Sequence, residues 1–182
     1  MLEIASMGVA VVTVAACAMA PTYTAPSSGD KAELIVRMRI GADEHFSLEV
    51  YDDAQACKGR KKVLASGDTG QSIVTSLRAN ALSTVNFYES RGNSQCDMYG
   101  SFFPKANRSY VLDTLMAGGS CLMRVMDVTN PKAPRPEPVV RRKKEATGCT
   151  PLSQDEVATL EAANPVSARP TMDDFKSLLP KK

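Results

Sequence analysis

Aromatic residues and histidine are scarce in this chain of 182 residues, which has no tryptophan, five phenylalanines, five tyrosines and one histidine. So few aromatic rings argue against a platform that stacks on nucleic-acid bases. The formal net charge of +2 is also too small for a typical nucleic-acid-binding protein. After residue 20, no apolar run approaches the ~20 residues that a membrane-spanning helix requires. We therefore expect no nucleic-acid partner, and we expect any membrane attachment at the N-terminus.

The local motifs of common enzyme families are also missing. The sequence contains no G-x-S-x-G elbow, no phosphate-binding glycine loop and no pair of closely spaced zinc ligands. Asp68-Thr69-Gly70 resembles the active-site turn of aspartic proteases, but that chemistry needs two carboxylates and only one copy is present. We interpret His45 and Asp52-Asp53 as solvated surface groups rather than metal ligands. The sequence therefore predicts a protein that is not an enzyme and has no metal.

A short apolar segment ends at a cysteine near the N-terminus. Residues 4–16 carry no charge, and their length suits the apolar region of a signal peptide rather than a membrane span. The segment Val14-Ala15-Ala16-Cys17 resembles the lipobox of bacterial lipoproteins, in which an aliphatic and two small residues precede a cysteine. The resemblance implies that Cys17 carries a covalent lipid and that residues 1–16 are removed as a signal peptide. Two or three acyl chains hold a protein stably on a membrane.

The resemblance also implies a location. In enteric lipoproteins, a residue other than Asp after the lipidated cysteine permits transfer to the outer membrane, and here that residue is Ala18. We therefore expect an outer-membrane anchor facing the periplasm, followed by residues 17–31 as a flexible tether rich in Pro, Ser, Thr and Ala. Two alternatives stay open: ordinary secretion with cleavage after Ala18-Met19-Ala20, and a cytosolic protein that buries residues 4–16 as a helix.

Four further cysteines remain, and their even number predicts two disulfides in an oxidising compartment: Cys57, Cys96, Cys121 and Cys149. If the predicted strands 97–103, 109–116 and 121–128 are consecutive neighbours in one sheet, Cys96 and Cys121 lie roughly 9–10 Å apart. A disulfide requires Cα atoms within about 7 Å. This leaves Cys57–Cys96 with Cys121–Cys149, which we favour, or Cys57–Cys121 with Cys96–Cys149.

Apolar and polar residues alternate between residues 33 and 128. Segments 33–40 and 45–52 show this pattern clearly, and the short turn at 41–43 predicts that they form a hairpin. Further strands are predicted at 72–78, 83–89, 97–103, 109–116 and 121–128. This pattern predicts a mainly β protein, with residues 32–129 as a single antiparallel β-sandwich of immunoglobulin-like or transthyretin-like topology.

The C-terminal part of the chain changes character. Residues 130–148 are rich in proline and then basic, which predicts an extended linker. A cluster within this segment could contact an anionic partner such as peptidoglycan, and its members are Arg141, Arg142, Lys143 and Lys144. Residues 149–182 are predicted as a helical tail, in which Ser153 and Glu156 form a capping box before a helix that ends near Ala163. A second short helix is expected from Thr171.

These features predict a cell-envelope lipoprotein that acts as a structural or accessory binding module, with the membrane and an envelope protein or peptidoglycan as partners. Apart from the lipid on Cys17, we expect no cofactor. The alternative is a secreted or lipid-anchored carrier of a small ligand, or a hydrolase, with a site built from loop residues. A deep pocket with converging polar groups would favour the alternative, and a filled sandwich with a flat surface would favour the binding module.

Overall fold

The computed structural model describes residues 20–36, 44–65, 72–117 and 120–163. Within these ranges the chain forms eleven β-strands and one α-helix. The strands are β1 (Lys31–Val36), β2 (Glu44–Asp53), β3 (Lys58–Ala65), β4 (Ile73–Arg78), β5 (Ser83–Arg91), β6 (Ser94–Phe102), β7 (Ser109–Ala117), β8 (Ser120–Asp127), β9 (Arg135–Glu137), β10 (Val140–Glu145) and β11 (Gly148–Pro151), and the helix is α1 (Gln154–Ala163).

Two β-sheets pack against each other, as the alternating sequence pattern predicts. One sheet has five strands in the order β4-β1-β7-β8-β9, and the other has six in the order β11-β10-β6-β5-β2-β3. Neighbouring strands are antiparallel except β1 and β7, which run parallel. The predicted mainly β, sandwich-type fold with a short C-terminal helix is confirmed.

The apolar faces of the two sheets form the main core. Side chains that alternate along each strand are fully buried there, and they include Leu34, Leu48, Val85 and Leu112. A smaller buried cluster lies on the opposite face of the five-stranded sheet, where neighbouring strands align Ile35 with Val111 and Val111 with Met126. The main core accounts for the predicted alternation, and the second cluster is a smaller apolar region on the other face of the five-stranded sheet.

The first two predicted strands do not form a hairpin. β1 pairs with β4 and β7 in the five-stranded sheet, whereas β2 pairs with β3 and β5 in the six-stranded sheet. The period of two identifies which face of a strand is buried, but it does not identify the neighbouring strand. The predicted turn at 41–43 lies outside the described residues.

The sequence did not predict β3, an edge strand. Four of its eight residues are basic, namely Lys58, Arg60, Lys61 and Lys62. Charged side chains, lysine above all, are common on edge strands, where they discourage pairing with other chains. These basic residues interrupt the alternation of apolar and polar residues, so the pattern does not indicate a strand here. They suit the position of β3 at the edge of the six-stranded sheet.

Residues 130–148 are not a linker, because β9 and β10 fall within them. β9 extends the five-stranded sheet beside β8, and β10 joins β6 in the six-stranded sheet. The chain crosses between the sheets at Pro138-Val139, so the sandwich continues to Pro151 rather than ending at residue 129. The prolines do not exclude a strand here, because Pro136 lies in the edge strand β9, where a missing N–H is tolerated.

Part of the predicted tether packs against the sandwich. Thr22 forms a parallel bridge with Lys62 of β3. The Tyr23 N–H donates to the Lys62 carbonyl at 2.8 Å, and the Tyr23 hydroxyl donates to the Ser76 carbonyl at 2.9 Å. From Pro21 to Tyr23 this segment therefore covers the β3 edge and is not a free tether. Residues 17–19 lie outside the described residues.

The helix predicted before Asn164-Pro165 is confirmed as α1. Its capping box has the expected geometry: the Glu156 N–H donates to Ser153 Oγ at 3.2 Å, and the Ser153 N–H donates to Glu156 Oε2 at 2.8 Å. The second helix predicted from Thr171 lies outside the described residues.

Candidate functional site

The lipidation site predicted at Cys17 lies outside the described residues, as do the signal peptide 1–16 and Asp68-Thr69-Gly70. Among the residues that the structure describes, no helix has the length and apolar character needed to cross a membrane.

Asp52 and Asp53, which were considered as metal ligands, form hydrogen bonds in and beside the β2–β3 turn. Asp53 Oδ1 accepts hydrogen bonds of 3.0 Å from the Gln55 and Ala56 N–H groups, and Asp52 Oδ1 accepts one of 2.7 Å from Lys61 Nζ. In the described ranges, no three His, Cys, Asp or Glu side chains are placed to share a metal ion. His45 is exposed on β2. The interpretation of His45, Asp52 and Asp53 as surface groups stays a prediction.

All four predicted cysteines form disulfides, but both predicted pairings are wrong. Cys57 is joined to Cys149, and Cys96 is joined to Cys121. Cys96 lies on β6 of the six-stranded sheet and Cys121 on β8 of the five-stranded sheet, with Cα atoms 5.7 Å apart across the sandwich. The premise that β6, β7 and β8 are neighbours in one sheet is the error, because the disulfide connects facing sheets.

The four basic residues predicted as one contact surface lie on two faces of β10, because side chains alternate along a strand. Arg142 is buried, with 6% of its surface exposed, whereas Lys144 is exposed. On the other face, Lys143 Nζ donates to Glu156 Oε1 of α1 at 3.0 Å, and Arg141 lines a cavity. The contact of this cluster with an anionic partner stays a prediction, but the buried Arg142 is not exposed to take part in it.

Arg142 fastens the turn between β2 and β3 to the six-stranded sheet. Its Nη1 donates to the Gln55 carbonyl at 2.7 Å, and its Nε donates to Ser101 Oγ. The Ser101 hydroxyl also hydrogen-bonds with Thr84, which donates to the Ala54 carbonyl. Burial lowers the pKa of Arg142. This arginine is a structural residue in a buried polar network.

The Cys57–Cys149 disulfide closes over the same turn. Cys57 has a φ of 53° in the left-handed region, and the Cys149 N–H donates to the Ala56 carbonyl at 3.3 Å. The rings of Tyr51 and Tyr99 pack beside this disulfide with centroids 6.4 Å apart. Burial raises the pKa of both tyrosines, so both phenols stay protonated at neutral pH. Cys57, Tyr99 and Cys149 form a small buried cluster, and the half-buried Tyr51 packs against it.

A cavity of about 740 Å³ opens where the chain crosses from β9 to β10, and we call it the edge cavity. Its buried lining comes from both faces of β8: Met123 and Val125 belong to the main core, whereas Met126 belongs to the cluster on the opposite face. Val139 of the crossover and Val157 of α1 are half-buried and complete the apolar wall. The volume lies within the range of small-molecule binding sites.

Among the described residues, three charged ones also line the edge cavity, namely Arg124, Arg141 and Glu137. Arg124 Nη2 donates to Oδ2 of the buried Asp113 at 2.7 Å, in an ion pair between β7 and β8. Arg124 Nε is buried, and in the described part of the chain it has no hydrogen-bond partner. Because Nε has almost no accessible surface, a ligand in the edge cavity does not reach this atom.

Sequence reasoning missed the edge cavity because its wall comes partly from the segment interpreted as a linker. No local pattern distinguishes Pro134, Pro136 and Val139 as wall residues, because a proline-rich segment is equally typical of a linker. The lining residues of β8 were correctly placed on a strand, but strand alternation alone does not show a cavity beside them.

Comparison with protein-family models, with curated proteins and with solved structures gives no match to this chain. The interpretation of the candidate site therefore depends on its own residues.

Proposed function

We propose that this chain is an exported lipoprotein of a bacterial cell envelope, anchored in the outer membrane through lipid on Cys17. Its β-sandwich acts as a structural or accessory binding module rather than as an enzyme, and faces the periplasm. The lipobox-like segment Val14-Ala15-Ala16-Cys17 supports the anchor, and Ala18 supports the outer-membrane location. The partner is an envelope protein or peptidoglycan.

The observation that carries this proposal is the pair of disulfides. Both connect distant parts of the chain, with sequence separations of 92 and 25 residues, and together they use every cysteine after Cys17. Disulfides of this structural kind persist in oxidising compartments and are rare in a reducing cytosol. They therefore favour export, and they argue against the reading of residues 4–16 as a buried cytosolic helix.

Intact-mass analysis of protein made in its native host tests the anchor. We expect a membrane-bound mature chain that begins at Cys17 and carries the added mass of diacylglycerol and an acyl group. A Cys17→Ser variant should lose both the lipid mass and the membrane association. A mature chain that begins at Pro21 without lipid would instead support ordinary secretion and would contradict the anchor.

A second candidate function, a carrier of a small apolar ligand, is favoured by the edge cavity. Its volume of about 740 Å³ and its mainly apolar wall suit such a ligand. Native mass spectrometry of protein purified without detergent tests this function, because a carrier should retain a small molecule that a cavity-filling variant such as Val157→Phe excludes. Identical spectra without any bound molecule for both proteins would count against it.

A further inference from the structure

We propose that the sandwich faces the bilayer with the edge formed by β3 and β4, and that this edge contacts the phospholipid head groups. The orientation is imposed by residues 21–23, which we call the strap. This inference rests on the first proposed function, because it requires lipid on Cys17. It goes beyond the anchor by naming the surface of the module that meets the membrane.

The strap is held by both sheets. Its backbone pairs with β3, where the Lys62 N–H donates to the Pro21 carbonyl and the Tyr23 N–H donates to the Lys62 carbonyl, both at 2.8 Å. The Tyr23 hydroxyl reaches the other sheet and donates to the Ser76 carbonyl of β4 at 2.9 Å. The Tyr23 ring is half-buried against the main core. These contacts fix the strap to the edge strands of both sheets.

The chain between the strap and the proposed anchor is short. Only the segment Ala18-Met19-Ala20 separates Cys17 from Pro21. Four residues span at most about 14 Å when fully extended. The head-group region on one side of a bilayer is itself roughly 5–7 Å thick. A lipid-bearing Cys17 therefore keeps the β3–β4 edge close to the phospholipids for as long as the strap is docked.

Release of the strap would remove this restraint. The Ala79 N–H donates to the Asp30 carbonyl at 3.0 Å, where the chain enters β1. Asp30 follows Cys17 by thirteen residues, which reach about 45 Å when extended. A domain held only from that point could take many orientations. The docked strap is therefore the feature that selects one edge.

The direction of the strap identifies the part of β3 nearest to the anchor. The bridge between Thr22 and Lys62 is parallel, so the strap runs in the same direction as β3 and enters from the side of its first residues. Lys58 and Arg60 lie on that side and are exposed. We therefore expect these two side chains to lie among the head groups.

Electrostatic attraction is not needed to hold this edge on the membrane. β3 has four basic residues, and the neighbouring β2 has four acidic ones. Two ion pairs join the strands, with Lys61 Nζ 2.7 Å from Asp52 Oδ1 and Arg60 Nη1 3.7 Å from Glu49 Oε1. Because the charges of β2 and β3 balance, the contact follows from the strap and the lipid, and it should form on zwitterionic phospholipids too.

Lysine acetylation by a membrane-impermeant reagent, read by mass spectrometry, tests this inference on the full-length lipidated chain in phosphatidylcholine vesicles. Lys58 is the reporter. Lys132 is the reference, because it is exposed in the loop before β9, at the opposite edge of the five-stranded sheet from β4. We expect the ratio of the Lys58 rate to the Lys132 rate to be severalfold lower than in the lipid-free Cys17→Ser variant mixed with the same vesicles. Equal ratios would overturn the inference and leave the anchor intact.

Two changes test the strap itself. A flexible Gly-Ser spacer of about ten residues between Ala20 and Pro21 adds up to about 35 Å of reach and should raise the ratio to its lipid-free value. The same spacer after Lys182 is the matched control and should leave the ratio low. Tyr23→Ala should release the strap and also raise the ratio, whereas Tyr88→Ala, at a half-buried tyrosine of β5, should not.

The remaining outcomes separate the strap from the anchor. A ratio that stays low with the spacer before Pro21 would overturn the role of the strap, and this test does not depend on the folding of Tyr23→Ala. If intact-mass analysis finds no lipid on Cys17, the anchor and this inference both fail.

Discussion

Arg142 Nη1 donates a hydrogen bond of 2.7 Å to the Gln55 carbonyl oxygen, and this bond connects residues 87 positions apart. A side chain from β10 thereby holds the turn that joins β2 and β3. The same turn is held covalently by Cys57–Cys149. A segment that the sequence assigned to a linker is therefore part of the framework of the six-stranded sheet.

Replacing Arg142 with glutamine should destabilise the fold by about 1–3 kcal/mol, because the Gln55 carbonyl and the Ser101 hydroxyl lose a buried donor. Lys144→Gln is the matched control, since Lys144 lies two residues further along β10 and is exposed. Its effect should stay within about 0.5 kcal/mol. Urea unfolding of both variants measures the difference, and equal stabilities would contradict a structural role for Arg142.

The disulfide pairing makes a second prediction. Non-reducing peptide mapping should find Cys57 joined to Cys149 and Cys96 joined to Cys121. Replacing either pair with alanine should cost about 2–5 kcal/mol of stability. In the chain-entropy model the 92-residue separation makes loss of Cys57–Cys149 the more costly, by about 1 kcal/mol. Urea unfolding of the two double variants measures this order, and a map with Cys57 joined to Cys96 would contradict the structure.

Strand faces could be predicted from this sequence, but strand partners could not. Phe46, Leu48 and Val50 alternate with polar residues, and all three are buried as expected. The partner of a strand depends on contacts between distant residues, which a local pattern does not contain. For this reason the prediction of a hairpin over residues 33–52 is wrong, although the predicted apolar face of each strand is correct.

The disulfides show the same limit at the candidate site. An even number of cysteines predicted two bonds, but the pairing required knowledge of which sheet holds β6 and which holds β8. The edge cavity was equally inaccessible to local patterns, because its wall joins Met123 of β8 to Val157 of α1. By contrast, the capping box of α1 was predicted correctly, since Ser153 and Glu156 interact within four residues.

Gly148 should be necessary for the close approach between β11 and the turn that joins β2 and β3. A Cβ atom at Gly148 would collide with the Ala56 carbonyl oxygen, which is backbone and is held by the Cys149 N–H. We expect Gly148→Ala to destabilise the fold by about 1–3 kcal/mol, a typical cost of overpacking.

Gly100→Ala is the informative comparison for Gly148→Ala. At position 100 the atoms nearest to an added Cβ belong to the Met123 and Val139 side chains rather than to backbone, and both residues line the edge cavity. Its cost should therefore be smaller when both variants are unfolded in urea. A larger loss for Gly100→Ala would mean that the Met123 and Val139 side chains cannot shift into the cavity.

The cap of α1 should be sensitive to acid. The Ser153 N–H and Lys143 Nζ donate to the Glu156 carboxylate and hold its pKa at about 2, below its usual value of 4.5. Because the pKa of the folded state is depressed, the stabilisation is complete above pH 4.5 and is lost as the pH falls towards 2. A carbon-detected NMR titration should show Glu156 with this low pKa, and the signals of helical α1 should weaken at the acidic end of the titration.

In Lys143→Gln the pKa of Glu156 should rise towards 4.5. In Lys132→Gln, which changes an exposed lysine outside the cap, the pKa of Glu156 should stay near 2. A wild-type Glu156 that titrates near 4.5 would show that the capping box and its lysine do not hold together in solution.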